Sequence, residues 1–107
     1  MPEYSVHPLE LKIHERRQKS VHLSHIEILE AVRLAITAEM DLLGLYEQVA
    51  SITRDDTVKR VFNDIVRERQ RLIGVLVALL SKLDAGFGKR FREGVEKFNK
   101  EVGGAEI

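Results

Sequence analysis

From His22 to Leu83 the apolar positions recur every third or fourth residue, the period of an α-helix rather than a strand. The first run, about 22–52, sets Ile28, Val32, Ala35, Ile36, Leu42, Leu43, Tyr46 and Ala50 within about 60° of one line at 100° per residue. The second, about 57–83, does the same with Val58, Phe62, Ile65, Val66, Leu72, Ile73, Leu76, Leu80 and Leu83. Ser20 or Ser24 is available to cap the first helix. "SITRDDTV" supplies the turn, with Asp55 or Asp56 capping the second helix. A connection that short makes the two helices antiparallel neighbours. "DAGFG" interrupts the second run, and a third helix over about 88–102 carries Phe91, Val95, Phe98 and Val102, with Phe87 just ahead of it. Residues 1–19 are polar and irregular, a tail or short extra helix, and 103–107 form a C-terminal tail. The expectation is an all-α domain over 20–102: a long two-helix hairpin plus a short C-terminal helix.

One acid and one base break this pattern. Glu39 sits at the middle of the first apolar face, where the only other polar residue is His25 near the helix start. Arg69 is the only charge on the second face. Each lies fifteen residues from Arg54 at the turn, so an antiparallel hairpin brings both to one level, about 20 Å from the turn. Long side chains can snorkel outwards, but Glu39 is short and its surroundings are apolar. An isolated buried charge costs several kcal/mol, so the spacing predicts a buried Glu39–Arg69 ion pair.

A two-helix hairpin cannot bury its own stripe. Two of them face to face make a four-helix bundle, which predicts a homodimer with its two-fold axis near Glu39 and Arg69. "LIGVLVALL" is apolar all the way round, which extends the expectation to a higher oligomer.

Composition narrows the classes. With 107 residues the chain makes one small domain, and 44% apolar with 32% charged residues is a foldable, soluble balance. Lys plus Arg equals Asp plus Glu at 17 each, which argues against a nucleic-acid binder. The absence of cysteine excludes disulfides and thiolate chemistry. The N-terminus lacks a signal-peptide core, and the longest apolar run is about half a membrane span, so neither export nor a membrane is expected and the cytoplasm is the default location. Abundant Glu, Lys and Arg beside few Asn and Gln point to a thermophilic source.

The stretch "EILEAVRLAITAEMDLLGLYEQVASITRDDTVKRVFNDIVRERQRLIGVLVALLSKLD", and within it "AEMDLLGLYEQVA", "DDTVKRVFNDIVRE" and "LVALLSKLD", resembles the ferritin-like and rubrerythrin-like diiron family. The half-sized branch associated with encapsulin nanocompartments matches in hairpin and turn length. The resemblance implies two chains that dimerise around an iron-oxidising site, each giving a glutamate from the first helix and an E-x-x-H pair from the second. It places the first glutamate on Glu39, the second on Arg69, the histidine on Leu72 and a further glutamate on Val75. Arginine and leucine have no lone pair for a metal. Glu68 is about 100° round from Arg69 and Asp64 points further away.

The expectation is therefore a degenerate ferritin-like protein, with the Glu39–Arg69 pair in place of the metal site, no resident cofactor, and a structural or interaction role in a homo-oligomer. The resemblance implies an encapsulin shell as partner and a place inside a protein nanocompartment. The alternative is a genuine ferroxidase or iron-storage protein, with iron at a displaced site that includes Glu39. Tyr46 resembles the family's tyrosine beside that site, its hydroxyl expected to find Glu39 or Arg69 of the other chain. His22 and His25, at i and i+3, are weak peripheral metal candidates, with His7 and His14 upstream; exposed polar histidines are the better reading.

Overall fold

The computed structural model describes residues 7–103. Four helices run in order: α1 Pro8–Gln18, α2 His25–Ile52, α3 Asp56–Leu83 and α4 Ala85–Val102. No strand occurs among the described residues. The fold is all-helical, as the periodicity demands.

The hairpin is α2 against α3, each 28 residues and about 42 Å long. Ser24 starts α2 through a full capping box. Its hydroxyl accepts the Glu27 N–H at 3.2 Å, and the Glu27 carboxylate accepts the Ser24 N–H at 2.9 Å. That box sets the start at His25, three residues later than the expected His22. At the turn, Asp55 caps α3 by accepting the Val58 N–H at 3.0 Å.

The expected tail is in part a helix. His7 caps α1 with its Nδ1, which accepts the Leu9 N–H at 3.0 Å, and Pro8 occupies the first turn. Leu9 anchors α1 and is only 2% exposed, the lowest figure in the hydrophobic core. The helix ends in a Schellman closure, in which the Val21 N–H donates to Arg16 O at 2.9 Å and the Ser20 N–H to Arg17 O at 3.3 Å. Ser20 sits in the left-handed region with φ 55°, a place that favours glycine. Residues 1–6 of the expected N-terminal tail and 104–107 of the C-terminal one lie outside the described residues.

The C-terminal helix α4, expected from about 88, begins earlier, at Ala85, because Asp84 alone separates it from α3. The Asp84 N–H closes α3 on Leu80 O at 2.9 Å, and its Oδ1 accepts the Phe87 N–H at 3.0 Å to open α4. Its Oδ2 takes Arg33 Nη2 from α2 at 2.8 Å. Gly88 packs so closely on the Ser81 carbonyl that a side chain there would collide with backbone. The overall extents are 47 × 45 × 20 Å, and two helices side by side do not give the second of these. Hence α4 leaves the hairpin axis.

The core is thin. Among the described residues Leu9, Val32, Ala50 and Leu80 are the buried hydrophobic ones, and none of their large side chains is wholly enclosed. Leu45, Val61, Leu72, Val75 and Leu79 stay exposed along the hairpin. One sheet of two helices has a single wall, so the stripes read from the sequence are lined on one side only.

Candidate functional site

Glu39 and Arg69 meet within one chain. Arg69 Nη1 donates to both carboxylate oxygens, at 2.9 Å to Oε1 and 2.8 Å to Oε2, a charge-assisted contact at mid-hairpin. The side chains remain 21% and 32% exposed respectively. Full burial was the expectation, and in the single chain the pair is half-buried, because one hairpin closes only one side of it. Tyr46 packs its ring edge-on against Phe62, centroids 5.7 Å apart at 65°, about two turns along each helix from the ion pair.

Around this pair the lone pairs are few. Leu72 is exposed and offers none, and the same holds for Val75. Asp64 and Glu68 form ion pairs with Arg67 and Arg71, three residues along on the same helix, and so serve α3's outer side. Among the described residues no three His, Asp or Glu side chains gather as a metal cluster. His22 precedes α2 and His25 opens it, so the two do not share a helix face as expected; both are exposed. His14 is exposed on α1, and His7 is occupied as its cap. An open cleft of about 280 Å³ lies nearer the turn, lined by Glu47, Ala50, Ser51, Lys59, Asn63 and Val66, and includes neither Glu39 nor Arg69.

A second acid–base pair was missed by the sequence reading. Glu27 is the one buried charged residue among those described, at 6% exposure. Arg16 of α1 grips it with both prongs of its guanidinium, Nε to Oε1 and Nη2 to Oε2, each at 3.3 Å. The Ser24 N–H and Arg16, in that order, hold the Glu27 carboxyl below the usual carboxylate range, against the upward push of burial. The signal existed: "SHIE" is the capping-box spacing, and it marks Ser24 over Ser20. Nothing local marks Arg16 as its third member.

The fold and site define a class: an antiparallel half-bundle with one open apolar face, the building block of a ferritin-like four-helix bundle. The comparisons make this particular. The chain is 36% identical to the encapsulated ferritin domain of Pyrococcus furiosus in its crystal structure, with a TM-score of 0.71 over 80% of this chain and 87% of that one. It is 39% identical over 80 residues to the ferritin-like–encapsulin shell fusion protein of Pyrococcus furiosus, covering 75% of this chain and 23% of the fusion. It is 25% identical over 83 residues to the encapsulin nanocompartment cargo protein EncC of Myxococcus xanthus, covering 78% of this chain and 64% of that protein. The chain thus spans less than two thirds of either full-length relative. No family profile matches it. The chain belongs to the encapsulin-associated ferritin-like family.

Among the described residues no helix is long and apolar enough to cross a membrane.

Proposed function

We propose that this chain is a ferritin-like subunit whose metal position is closed by an ion pair, and that its role is structural or interactive within an encapsulin-associated assembly. One observation carries the reading: Arg69 Nη1 contacts both oxygens of Glu39, the position to which the family resemblance assigns the first-helix iron ligand. Iron prefers carboxylate and imidazole donors. The donors here do not fit an iron pair. A two-chain interface would bring two Glu39 carboxylates already engaged by two guanidiniums, and no imidazole from Leu72. The reading therefore routes no chemistry through iron, and none of the chain's residues is assigned a catalytic step.

Partnership follows from the surface. The exposed Leu45, Val61, Leu72, Val75 and Leu79 lie along a hairpin whose own core is thin, which supports a second hairpin as the covering wall and a homodimer as the unit. In that dimer both Glu39–Arg69 pairs become buried and remain formally neutral. The names of the relatives support a shell-enclosed location for the assembly.

Aerobic Fe(II) oxidation, followed by ferric absorbance, tests the reading on the full chain. The expected rate equals that of the protein-free control, and metal analysis of purified protein finds no stoichiometric iron. Arg69→Glu with Leu72→His returns the family's donors and is expected to create Fe(II) binding. Turnover by the unaltered chain that disappears in Glu39→Ala would establish the ferroxidase alternative and end this proposal.

A further inference from the structure

The two sides of the hairpin are unlike. Glu39 and Arg69 touch, so they mark the seam between α2 and α3. At about 100° per residue, the exposed Leu45, Val61, Leu72, Val75 and Leu79 lie about 60° to 120° from that pair in one sense of rotation. Glu47 and Ser51 of α2, and Lys59 and Asn63 of α3, lie about 80° to 120° away in the other sense. In an antiparallel pair, equal rotations from a shared seam reach the same side. The open cleft of about 280 Å³ is therefore on the back of the hairpin, away from the apolar face.

Floor and walls of this cleft differ in chemistry. Ala50, 5% exposed, and the half-buried Val66 give it an apolar floor. α2 gives Glu47 to one wall, and α3 gives Lys59 to the other with Asn63 one turn further along. Glu47 is seven residues before Arg54 and Lys59 five after it, a difference of about 3 Å in height. Yet among the described residues neither is in an ion pair. Charges further along α3 behave otherwise, Asp64 pairing with Arg67 and Glu68 with Arg71. The Ser51 hydroxyl donates to Gln48 O at 2.9 Å. The polar handles left to the cleft are an acid, a base and an amide.

We propose that this cleft binds a small zwitterion of the amino-acid class. Its ammonium meets the Glu47 carboxylate, its carboxylate meets the Lys59 ammonium, and its aliphatic carbons rest on Ala50 and Val66. The Asn63 amide donates from its nitrogen and accepts at its oxygen, so it serves whichever end it meets. A purely anionic ligand would set its charge against Glu47, and a purely cationic one against Lys59. A molecule that carries both charges satisfies both walls. The contacts are open to water and screened, so millimolar affinity is expected and salt should weaken it. Since the apolar face is on the opposite side, a single hairpin already holds the whole cleft. The proposal therefore stands apart from the dimer and iron readings above.

Saturation-transfer NMR and calorimetric titration of the full chain test the proposal. The probes are glycine, β-alanine and γ-aminobutyrate, which place the two charges at increasing separation, with butylamine and butyrate as single-charge controls. Saturable binding of at least one zwitterion is expected, with both controls weaker by roughly fivefold or more. Glu47→Gln and Lys59→Gln should each weaken that binding by roughly fivefold, and circular dichroism should show unchanged helicity because both side chains are exposed. Exchanging the charges, Glu47→Lys with Lys59→Glu, should restore it, since an achiral zwitterion can turn end for end. Ser51→Trp should fill the cleft from its rim and abolish binding. Failure of all three zwitterions, or a control that binds as well as they do, overturns the site. So does undiminished binding in the single variants or in Ser51→Trp, or a charge exchange that restores nothing.

Discussion

The chain holds two Glu–Arg pairs that look alike in outline and differ in what surrounds them. Glu27–Arg16 ties α1 to the first turn of α2, uses both prongs of the guanidinium, and adds a backbone donor from Ser24. Its acid is nearly inaccessible. Glu39–Arg69 ties α2 to α3 through one nitrogen and keeps a fifth to a third of each side chain open. The first is finished within the chain. The second is complete in its hydrogen bonds but lies on an apolar face that one hairpin leaves half-covered. In the single hairpin solvent screens the pair, and in the proposed dimer a second hairpin would remove that solvent and raise its energetic weight.

The sharpest way to break this contrast is Arg69→Ala. If two hairpins pair as proposed, this change strands the Glu39 carboxylate and is expected to cost about 3–5 kcal/mol in chemical denaturation. A loss near zero would mean that water reaches the pair after assembly, and the contrast would dissolve.

Arg16→Ala should act differently. It is expected to release α1 alone, seen as lost amide-exchange protection over 8–18 while α2 and α3 keep theirs. Equal loss in α3 would show that the two pairs belong to one cooperative unit.

Acidity separates them further. The folded-state pKa of Glu27 is lowered, so its contribution is present above the ordinary carboxylate range and fades as pH falls through the depressed folded value. Circular dichroism against pH should show α1 loosening on that acid side, and Glu27→Gln should flatten this part of the profile. A profile identical to the unaltered chain's would remove Glu27 from the account.

The smallest effect concerns the turn that delivers Arg16. Ser20→Gly relieves a left-handed serine and is expected to stabilise by about 1 kcal/mol, measured as a rise in melting temperature. A fall would mean the Ser20 side chain has a use that the Schellman closure does not reveal.

The hairpin was legible because its cause is local and periodic. Apolar spacing gave two helices, "SITRDDTV" gave a short turn, and equal distances of Glu39 and Arg69 from Arg54 fixed their common height. Helix starts were less legible, as two serines could each cap α2 and only Glu27, three residues past Ser24, chooses between them. α1 reads as a tail or extra helix for want of an apolar stripe; Leu9 is its buried residue and Arg16 its ion-pair tie to α2. "DAGFG" read as a break because glycines disfavour helix, yet Gly88 is there to let α4 approach Ser81.

What the sequence determined by itself was the all-helical class, the two long helices of the antiparallel hairpin and the level at which their one central acid and one central base lie. These depend on spacing along a single chain. Only the tertiary structure decided how open that pair remains, that Arg16 closes on Glu27 across eleven residues, and that Asp84 turns α4 away from the hairpin. Those outcomes depend on which surfaces are left without a neighbour, and exposure is a property of the folded chain that periodicity does not encode.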